Sequence, residues 1–408
     1  MSFRSLGSPE LQSSELDMRK RRKPLHRFQA RSLPQELVDM IIDIFGSKYD
    51  RDALNACSLV CHAWLPRSRS HIHSAVRLDY TSNLEHLQAL YTTFLAIYVR
   101  SLSIDTCGSD GMPADQSWVD KMQPLLANVT KVERLSIEGI AWSELEENTR
   151  ALFCTKYPGV TDLWLATCDF ADPADLVHLH QAFPLLSSAR MEGVSSDDIV
   201  FDHALRLNSD TLSLRWLDVG DLCTSPGVLA KWAFCYRKQV SIENIHFTWD
   251  CGDLVDLGNV LQIAGSSVKT LSITMDSRVD AATLPRCLNL SRSTGLCSFR
   301  LLARIEENHD DTTEFFWIPD CIAQLSSPSI SIVRVHIEIR AFLQLSHVNW
   351  TRIDSVLSDT KSLTKVEVCV IRRWEASDED DNQALGTITS SMPKLKSRGI
   401  LDVMRQYS

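Results

Sequence analysis

Glycine is scarce in this sequence, and the motifs that mark common active sites are missing. The chain has 15 glycines in 408 residues and contains no G-x-S-x-G, no glycine-rich phosphate loop and no H-E-x-x-H. These absences argue against the commonest hydrolases, nucleotide-binding enzymes and zinc proteases. Cys57, Cys61 and His62 lie close together, but a structural zinc site needs four ligands and no second cluster completes this one. The sequence therefore predicts a protein that is not an enzyme and that binds no metal or cofactor.

Long apolar runs and paired cysteines are also missing. No apolar run approaches the roughly 18 residues needed to cross a bilayer, and no signal peptide opens the chain. The 12 cysteines include no C-x-x-C pair, and several fall inside apolar patterns, as reduced thiols of intracellular proteins do. We therefore expect a cytoplasmic and/or nuclear protein without a membrane partner. The net charge of −10 argues against a nucleic-acid partner, because such binding needs a basic face.

Residues 33–73 predict three short helices. Apolar residues recur at helical spacing after Leu33-Pro34, Gly46 ends this first helix, and Asp50 to Asp52 offer caps for a second. A third helix begins near His62. Three helices of this size cannot bury all of their apolar side chains among themselves, so the surplus implies a partner surface.

The order of residues in this stretch resembles an F-box, over about a tenth of the chain. Leu-Pro stands at 33–34 and Glu-Leu at 36–37, followed by Ile41-Ile42-x-Ile44-Phe45, a helix of small residues at 53–61, and Trp64. In that family the three helices dock onto a Skp-type adaptor, which links them to a cullin–RING ubiquitin ligase. The resemblance implies that the adaptor-binding residues are Leu33, Pro34, Glu36, Leu37, Ile41, Ile42, Phe45, Leu54, Cys57, Val60, Cys61 and Trp64.

A short motif, apolar-x-x-apolar-x-apolar, returns along the rest of the chain. Its central residues are Leu102, Leu135, Leu163, Ala189, Leu217, Ile245, Leu271, Phe299, Val335 and Val366. The steps between them are 33, 28, 26, 28, 28, 26, 28, 36 and 31 residues. Alternation within each copy is typical of a strand, and the segments 145–157, 175–183, 199–207, 228–236 and 254–263 between copies are helical in pattern.

A strand and a helix repeated at this period predict an α/β leucine-rich-repeat solenoid, with parallel strands on the concave side and helices on the convex side. An α/β sheet protein with βαβ units is the alternative, and ten evenly spaced strands with no Gly-rich phosphate loop after any of them favour the solenoid. The repeat is divergent, because only Cys107 and Cys168 fill the place that usually holds Asn or Cys.

Four regions follow from these patterns. We expect a disordered basic arm at 1–31, an F-box-like domain at 32–77, a connecting helix at 78–98, and the solenoid with a C-terminal cap at 99–408. The basic run at 19–23 is either a nuclear import signal or a solvated tail.

Residues that alternate with the apolar positions of each strand should line the concave face. The candidates for binding an unidentified target protein are Trp164, Arg190, Trp216, Asp218, His246, Arg300, Arg334 and His336. The two tryptophans are either interface anchors or packed under a loop. Arg300, Arg334 and Lys365 suggest an acidic or phosphorylated ligand, whereas the opposite charges of Asp162, Asp218 and Glu367 count against one.

Together these features predict a substrate-recognition adaptor of an SCF-type ubiquitin ligase. The alternative is a leucine-rich-repeat scaffold without ligase function, in which the helices only cap the solenoid. A cap would bury Leu37, Ile41 and Phe45, whereas an adaptor-binding site leaves part of that set exposed.

Overall fold

A computed structural model of the chain describes residues 33–48, 50–92, 94–107, 115–196, 211–220, 239–249, 254–275, 284–304, 317–339, 342–372 and 378–407. The polypeptide divides into two compact units, Met1–Ser68 and Arg69–Ser408. The predicted basic arm at 1–31 and the predicted helices at 199–207 and 228–236 lie outside the described residues.

The first unit contains helices α1 (Gln35–Ser47) and α2 (Arg51–Val60) and the start of α3 (Leu65–Ile72). Pro34 precedes α1, where its missing N–H removes no hydrogen bond of the helix. Asp50 caps α2 by accepting a hydrogen bond from the N–H of Ala53 at 3.0 Å. Arg67 on α3 donates to both carboxylate oxygens of Asp43 on α1, at 2.6 and 2.7 Å. The three predicted helices are confirmed.

The strands of the second unit run in parallel. Its strands in chain order are β1 (Ala75–Asp79), β2 (Ser101–Asp105), β3 (Arg134–Glu138), β4 (Asp162–Ala166), β5 (Asp169–Phe170), β6 (Ser188–Glu192), β7 (Ser195–Ser196), β8 (Thr211–Val219), β9 (Gln239–Trp249), β10 (Thr270–Met275), β11 (Ser298–Ala303), β12 (Ile332–Ile339), β13 (Lys365–Arg372) and β14 (Leu401–Tyr407). Among the described residues, β5 and β7 pair apart, and the other twelve strands form one sheet in chain order. This sheet confirms the α/β solenoid with leucine-rich-repeat character.

Helices lie between the strands. They are α4 (Leu84–Leu90), α5 (Ser117–Lys121), α6 (Gln123–Asn128), α7 (Glu147–Lys156), α8 (Pro173–Gln181), α9 (Leu254–Ala264), α10 (Leu284–Cys287), α11 (Trp317–Ile322), α12 (Trp350–Ser358), α13 (Asp378–Ser391) and α14 (Pro393–Ser397). The predicted helices at 145–157, 175–183 and 254–263 correspond to α7, α8 and α9 and are confirmed. Within the described ranges, no helix combines the length and apolarity that a membrane span requires.

The strands pair so that the central residues of the motif form one continuous row. The row is Val76, Leu102, Leu135, Leu163, Ala189, Leu217, Ile245, Leu271, Phe299, Val333, Val366 and Leu401. Its first and last members lie on β1 and β14, outside the ten predicted copies. β1 crosses the boundary at 77/78 between the regions predicted as the F-box-like domain and the connecting helix.

The ninth predicted copy is wrong by two residues. Phe299 lies opposite Val333 and not Val335, and Val333 lies opposite Val366, so the last steps are 34 and 33 residues. The alternating apolar run from 330 to 339 satisfies the motif in both registers. A shift of two residues keeps every side chain on the same face, so the pattern alone does not distinguish the two registers.

The core lies on the face of the sheet that the central row occupies. Apolar side chains of strands and helices form one buried cluster, because each strand and helix pair is too small to bury its own apolar face. Helix α9 approaches α10 so closely that a Cβ at Gly258 would collide with the carbonyl oxygen of Cys287.

Cys168 satisfies backbone groups inside this core. Its Sγ–H lies 3.4 Å from the carbonyl oxygen of Ile137 and 3.3 Å from that of Ala166. Burial raises the pKa of the Cys168 thiol to about 12, so it stays protonated and able to donate. Cys107, at the same motif position, is only half-buried and lies 3.6 Å from the hydroxyl of Thr167.

The C-terminal end of the solenoid is held by polar contacts to α12. Asp354 is 2% exposed and accepts hydrogen bonds from the N–H groups of Lys394 at 3.1 Å and Leu395 at 2.8 Å. Arg398 donates to the carbonyl oxygens of Leu357, Ser358, Thr360 and Leu363. These bonds satisfy the first N–H groups of α14 and the last carbonyls of α12.

We expect Asp354→Ala to lower the free energy of unfolding by about 2 kcal/mol, because it leaves two N–H groups without their acceptor. Urea unfolding of the full chain, followed by circular dichroism, measures the change. Asp359→Ala, at the exposed end of the same helix, should change the free energy by less than about 0.5 kcal/mol. Equal losses in the two variants would contradict this account of the cap.

Candidate interaction surfaces

Helix α1 carries apolar side chains on two of its faces. Leu33, just before the helix, is 54% exposed, and Leu37, Met40 and Ile44 are 45%, 58% and 49% exposed. Their spacing of four, three and four residues places them on one side of the helix. On another side, Val38 and Ile42 are buried in the core of the unit. We call the four exposed residues the α1 stripe.

The end of α2 adds to the exposed apolar surface of this unit. Leu59 and Val60 are both exposed, and Leu54 and Cys57 on the same helix are buried. Exposed apolar groups in such number on a small unit are typical of a site that another protein covers.

The residues predicted to bind the adaptor fall into three groups that differ in how far they are buried. Those exposed are Leu33, Pro34, Glu36, Leu37, Val60 and Cys61. Those partly buried are Ile41, Phe45 and Trp64, and those buried are Ile42, Leu54 and Cys57. The buried three fill the core of the unit, and the predicted set omitted the exposed Met40, Ile44 and Leu59. The spacing 33–37–40–44 is the feature of the sequence that would have found two of them.

The second candidate surface is the face of the sheet opposite the core, which we call the open face. It carries the residues one before, one after and three after the central row, and corresponds to the predicted concave side. Trp164, Arg190, Asp218 and His246 stand one after the centre on the neighbouring strands β4, β6, β8 and β9. The guanidinium of Arg190 lies 5.2 Å from the ring centroid of Trp164. Asp218 links the two other residues, with Oδ2 3.6 Å from Nε of Arg190 and Oδ1 2.9 Å from Nδ1 of His246.

Both predicted tryptophans are exposed on the open face. Trp164 is 37% exposed, and Trp216, one before the centre on β8, is 43% exposed. Packing under a loop therefore does not explain them. An exposed tryptophan is a common anchor of protein interfaces, because its large ring buries much surface at a low cost in side-chain entropy.

The cations at the C-terminal end of the open face are largely paired. Arg334 lies 3.5 Å from Glu367, and Lys365 lies 3.0 Å from Glu367 and 3.3 Å from Asp402. These carboxylates already neutralise the two cations. The pairing weakens the predicted preference of this end for an acidic or phosphorylated ligand.

His336 lies between two charged groups in the same region. Its Nδ1 is 3.3 Å from Nη2 of Arg300, and its Nε2 is 3.4 Å from a carboxylate oxygen of Glu367. Burial lowers the pKa of His336 below its ordinary value, and the charges of Arg300 and Arg334 lower it further, while Glu367 opposes them. A neutral ring accepts from Arg300 through Nδ1.

Within the described part of the chain, one group has the residue types of a metal site. Ligand atoms of Asp105, Cys107 and Glu138 lie within 4.8 Å of one another. Arg77 already holds Asp105 at 2.6 Å, and burial raises the pKa of the Cys107 thiol. A protonated thiol is a poor metal ligand, so we assign no metal to this group.

Comparisons by sequence find no match, and comparisons by structure find solved structures of weak similarity. No family model and no curated protein matches the chain. The leucine-rich repeat-containing protein LegL7 from Legionella pneumophila is 12% identical, with a TM-score of 0.40 over 82% of this chain and 91% of that chain. A chain in the crystal structure of the yeast Rad7 and Elc1 complex is 15% identical, with a TM-score of 0.30 over 88% of this chain and 71% of that chain. Similarity at this level assigns no role to any residue.

We expect Arg300→Met to raise the pKa of His336, because the substitution removes a nearby positive charge. Glu367→Gln should lower the same pKa, because it removes the charge that favours the imidazolium ion. The pH titration of the His336 ring, followed by NMR, measures both shifts. Shifts in the same direction would contradict the described arrangement.

Proposed function

We propose that this chain is a substrate-recognition subunit of a cullin–RING ubiquitin ligase. The first unit binds a Skp-type adaptor, and the open face of the sheet binds the target protein. The observation that carries the proposal is the α1 stripe, which lies exposed within the residues that resemble an F-box.

The size of the α1 stripe supports a protein partner. Full burial of one leucine, isoleucine or methionine side chain contributes about 1.5–3 kcal/mol, so covering four contributes appreciably to a complex. An apolar face with this helical spacing is also the form in which one helix packs into the groove of another protein.

The alternative scaffold function is less well supported. A helical cap would bury Leu37, Ile41 and Phe45, but Leu37 is 45% exposed and the other two are only partly buried. The exposure of Leu37 thus favours the adaptor site over the cap.

The proposed activity is not enzymatic. The chain would hold a target protein near the ubiquitin-conjugating enzyme and so raise the effective concentration of a target lysine there. Such a role needs two separate binding surfaces, which the α1 stripe and the open face supply, and it needs no catalytic side chain from this protein.

Co-expression with a Skp-type adaptor tests the proposal. The full chain should form a stoichiometric complex on size-exclusion chromatography. Leu33→Ala/Leu37→Ala/Met40→Ala should weaken binding of the adaptor at least about 100-fold, since it truncates three side chains that the complex would bury. Its circular dichroism should be unchanged, because all three side chains are exposed.

The matched control is Phe94→Ala/Ile97→Ala/Leu185→Ala, which truncates three exposed apolar residues of the second unit. This variant should bind the adaptor as the unaltered chain does. A well-folded chain that forms no complex with the adaptor would contradict the ligase proposal and favour the scaffold function. Equal losses of binding in both triple variants would show that the α1 stripe is not the adaptor site.

A further inference from the structure

The two exposed tryptophans lie near one another on the open face. Trp164 on β4 and Trp216 on β8 lie two strands apart, about 10 Å across the sheet. Ser188 on β6 lies directly opposite Trp216 in the ladder, and Ala166 follows Trp164 by two residues on the same face. Ala166 is itself buried, but 37% of Trp164 and 43% of Trp216 are exposed, so part of each ring is open to a partner.

Two carboxylates stand on either side of Ala166. Glu138 on β3 and Glu192 on β6 are its direct neighbours in the ladder, so their Cα atoms are about 10 Å apart. Glu192 lies 3.3 Å from Arg190. Glu138 makes no side-chain hydrogen bond or ion pair with the described residues. One of the two carboxylates is therefore available to a cation from outside.

Negative charge is in excess on this part of the open face. At the open-face positions of β3, β4, β6 and β8, the carboxylates of Glu138, Asp162, Glu192 and Asp218 outnumber the guanidiniums of Arg134 and Arg190. Burial and the charges of Asp105 and Glu192 raise the pKa of Glu138, against a lowering by Arg77. An added cation would relieve this repulsion, whereas an acidic or phosphorylated ligand would increase it.

Arg190 shows how this surface receives a guanidinium. Its side chain lies over the ring of Trp164 and beside the carboxylates of Glu192 and Asp218. Cation–π and charge-assisted contacts act together there. On the other side of β4, away from β6, Glu138 of β3 lies opposite Ala166 in the ladder and so diagonally from Trp164. No cation of the described residues forms an ion pair with Glu138.

We propose that the open face from β3 to β8 docks a basic segment of the target protein. An arginine or lysine side chain of that segment lies between the carboxylates of Glu138 and Glu192 and against Trp164, and Trp216 covers the neighbouring part of the segment. The inference rests on the proposed function in that it names the chemistry of the target, but the surface exists without the adaptor.

Fluorescence anisotropy of labelled peptides on the full chain, without adaptor, tests the proposal. The probes are fluorescein-labelled (Arg-Ser)5 and (Glu-Ser)5. We expect (Arg-Ser)5 to bind and (Glu-Ser)5 not to bind. Glu138→Gln/Glu192→Gln should weaken binding at least about tenfold, since two charge-assisted contacts are lost, and Trp164→Ala should weaken it about fivefold.

Matched variants separate this site from general attraction to an acidic protein. Glu85→Gln/Glu147→Gln removes the same charge from exposed helical positions, and Phe94→Ala removes an exposed ring. Both should bind (Arg-Ser)5 as the unaltered chain does. Arg190→Gln removes the internal cation and should tighten binding about threefold, an increase that misfolding would not produce.

Three results would overturn the proposal: no binding of (Arg-Ser)5, preference for (Glu-Ser)5, or equal loss in the site and control variants. The outcome is independent of the ligase function. A chain that binds the basic peptide at Glu138 and Glu192 but forms no adaptor complex contradicts the ligase proposal and supports this docking surface. A chain that binds the adaptor but not the peptide supports the ligase proposal and contradicts this docking surface.

Discussion

The parallel pairing of strands in one register is the constraint on which the second unit depends. A single strand and its helix leave most of their apolar surface in water, and only a neighbouring repeat on each side covers it. The central row from Val76 to Leu401 is the result of that stacking. Because side chains alternate along a strand, the same register that buries this row fixes which residues reach the open face.

The charged residues of the open face follow from this arrangement. Residues far apart in sequence, such as Arg190 and Asp218, become direct neighbours, and parallel strands repeat that adjacency from one repeat to the next. At the C-terminal end, cations meet carboxylates and largely neutralise one another. Between β3 and β8 the carboxylates are in excess and two tryptophans remain uncovered. The open face is therefore uneven in charge, so a charged partner would bind its two ends with different affinity.

The sequence predicts the positions of most strands, because the apolar motif marks both the strand and its buried face. It does not place β12, where the alternating run at 330–339 fits two registers equally well. β1 and β14 lie outside the motif copies, and their place in the sheet depends on pairing with β2 and β13. Ile42 is buried and Met40 is exposed, although both belong to one apolar run on α1. The sequence does not distinguish the two positions, because their burial depends on how the helices pack. The ion pairs of Arg334 and Lys365 could not be predicted either, since a pattern along the chain does not show which side chains meet across strands.

The central claim is that one exposed helix face recruits the adaptor and leaves the open face free for a target. Hydrogen exchange of the full chain, measured by mass spectrometry with and without a Skp-type adaptor, tests it most directly. The account predicts slower exchange in α1 and at the end of α2, with exchange in β3, β4, β6 and β8 unchanged. Protection of those strands by the adaptor, with α1 unaffected, would contradict it.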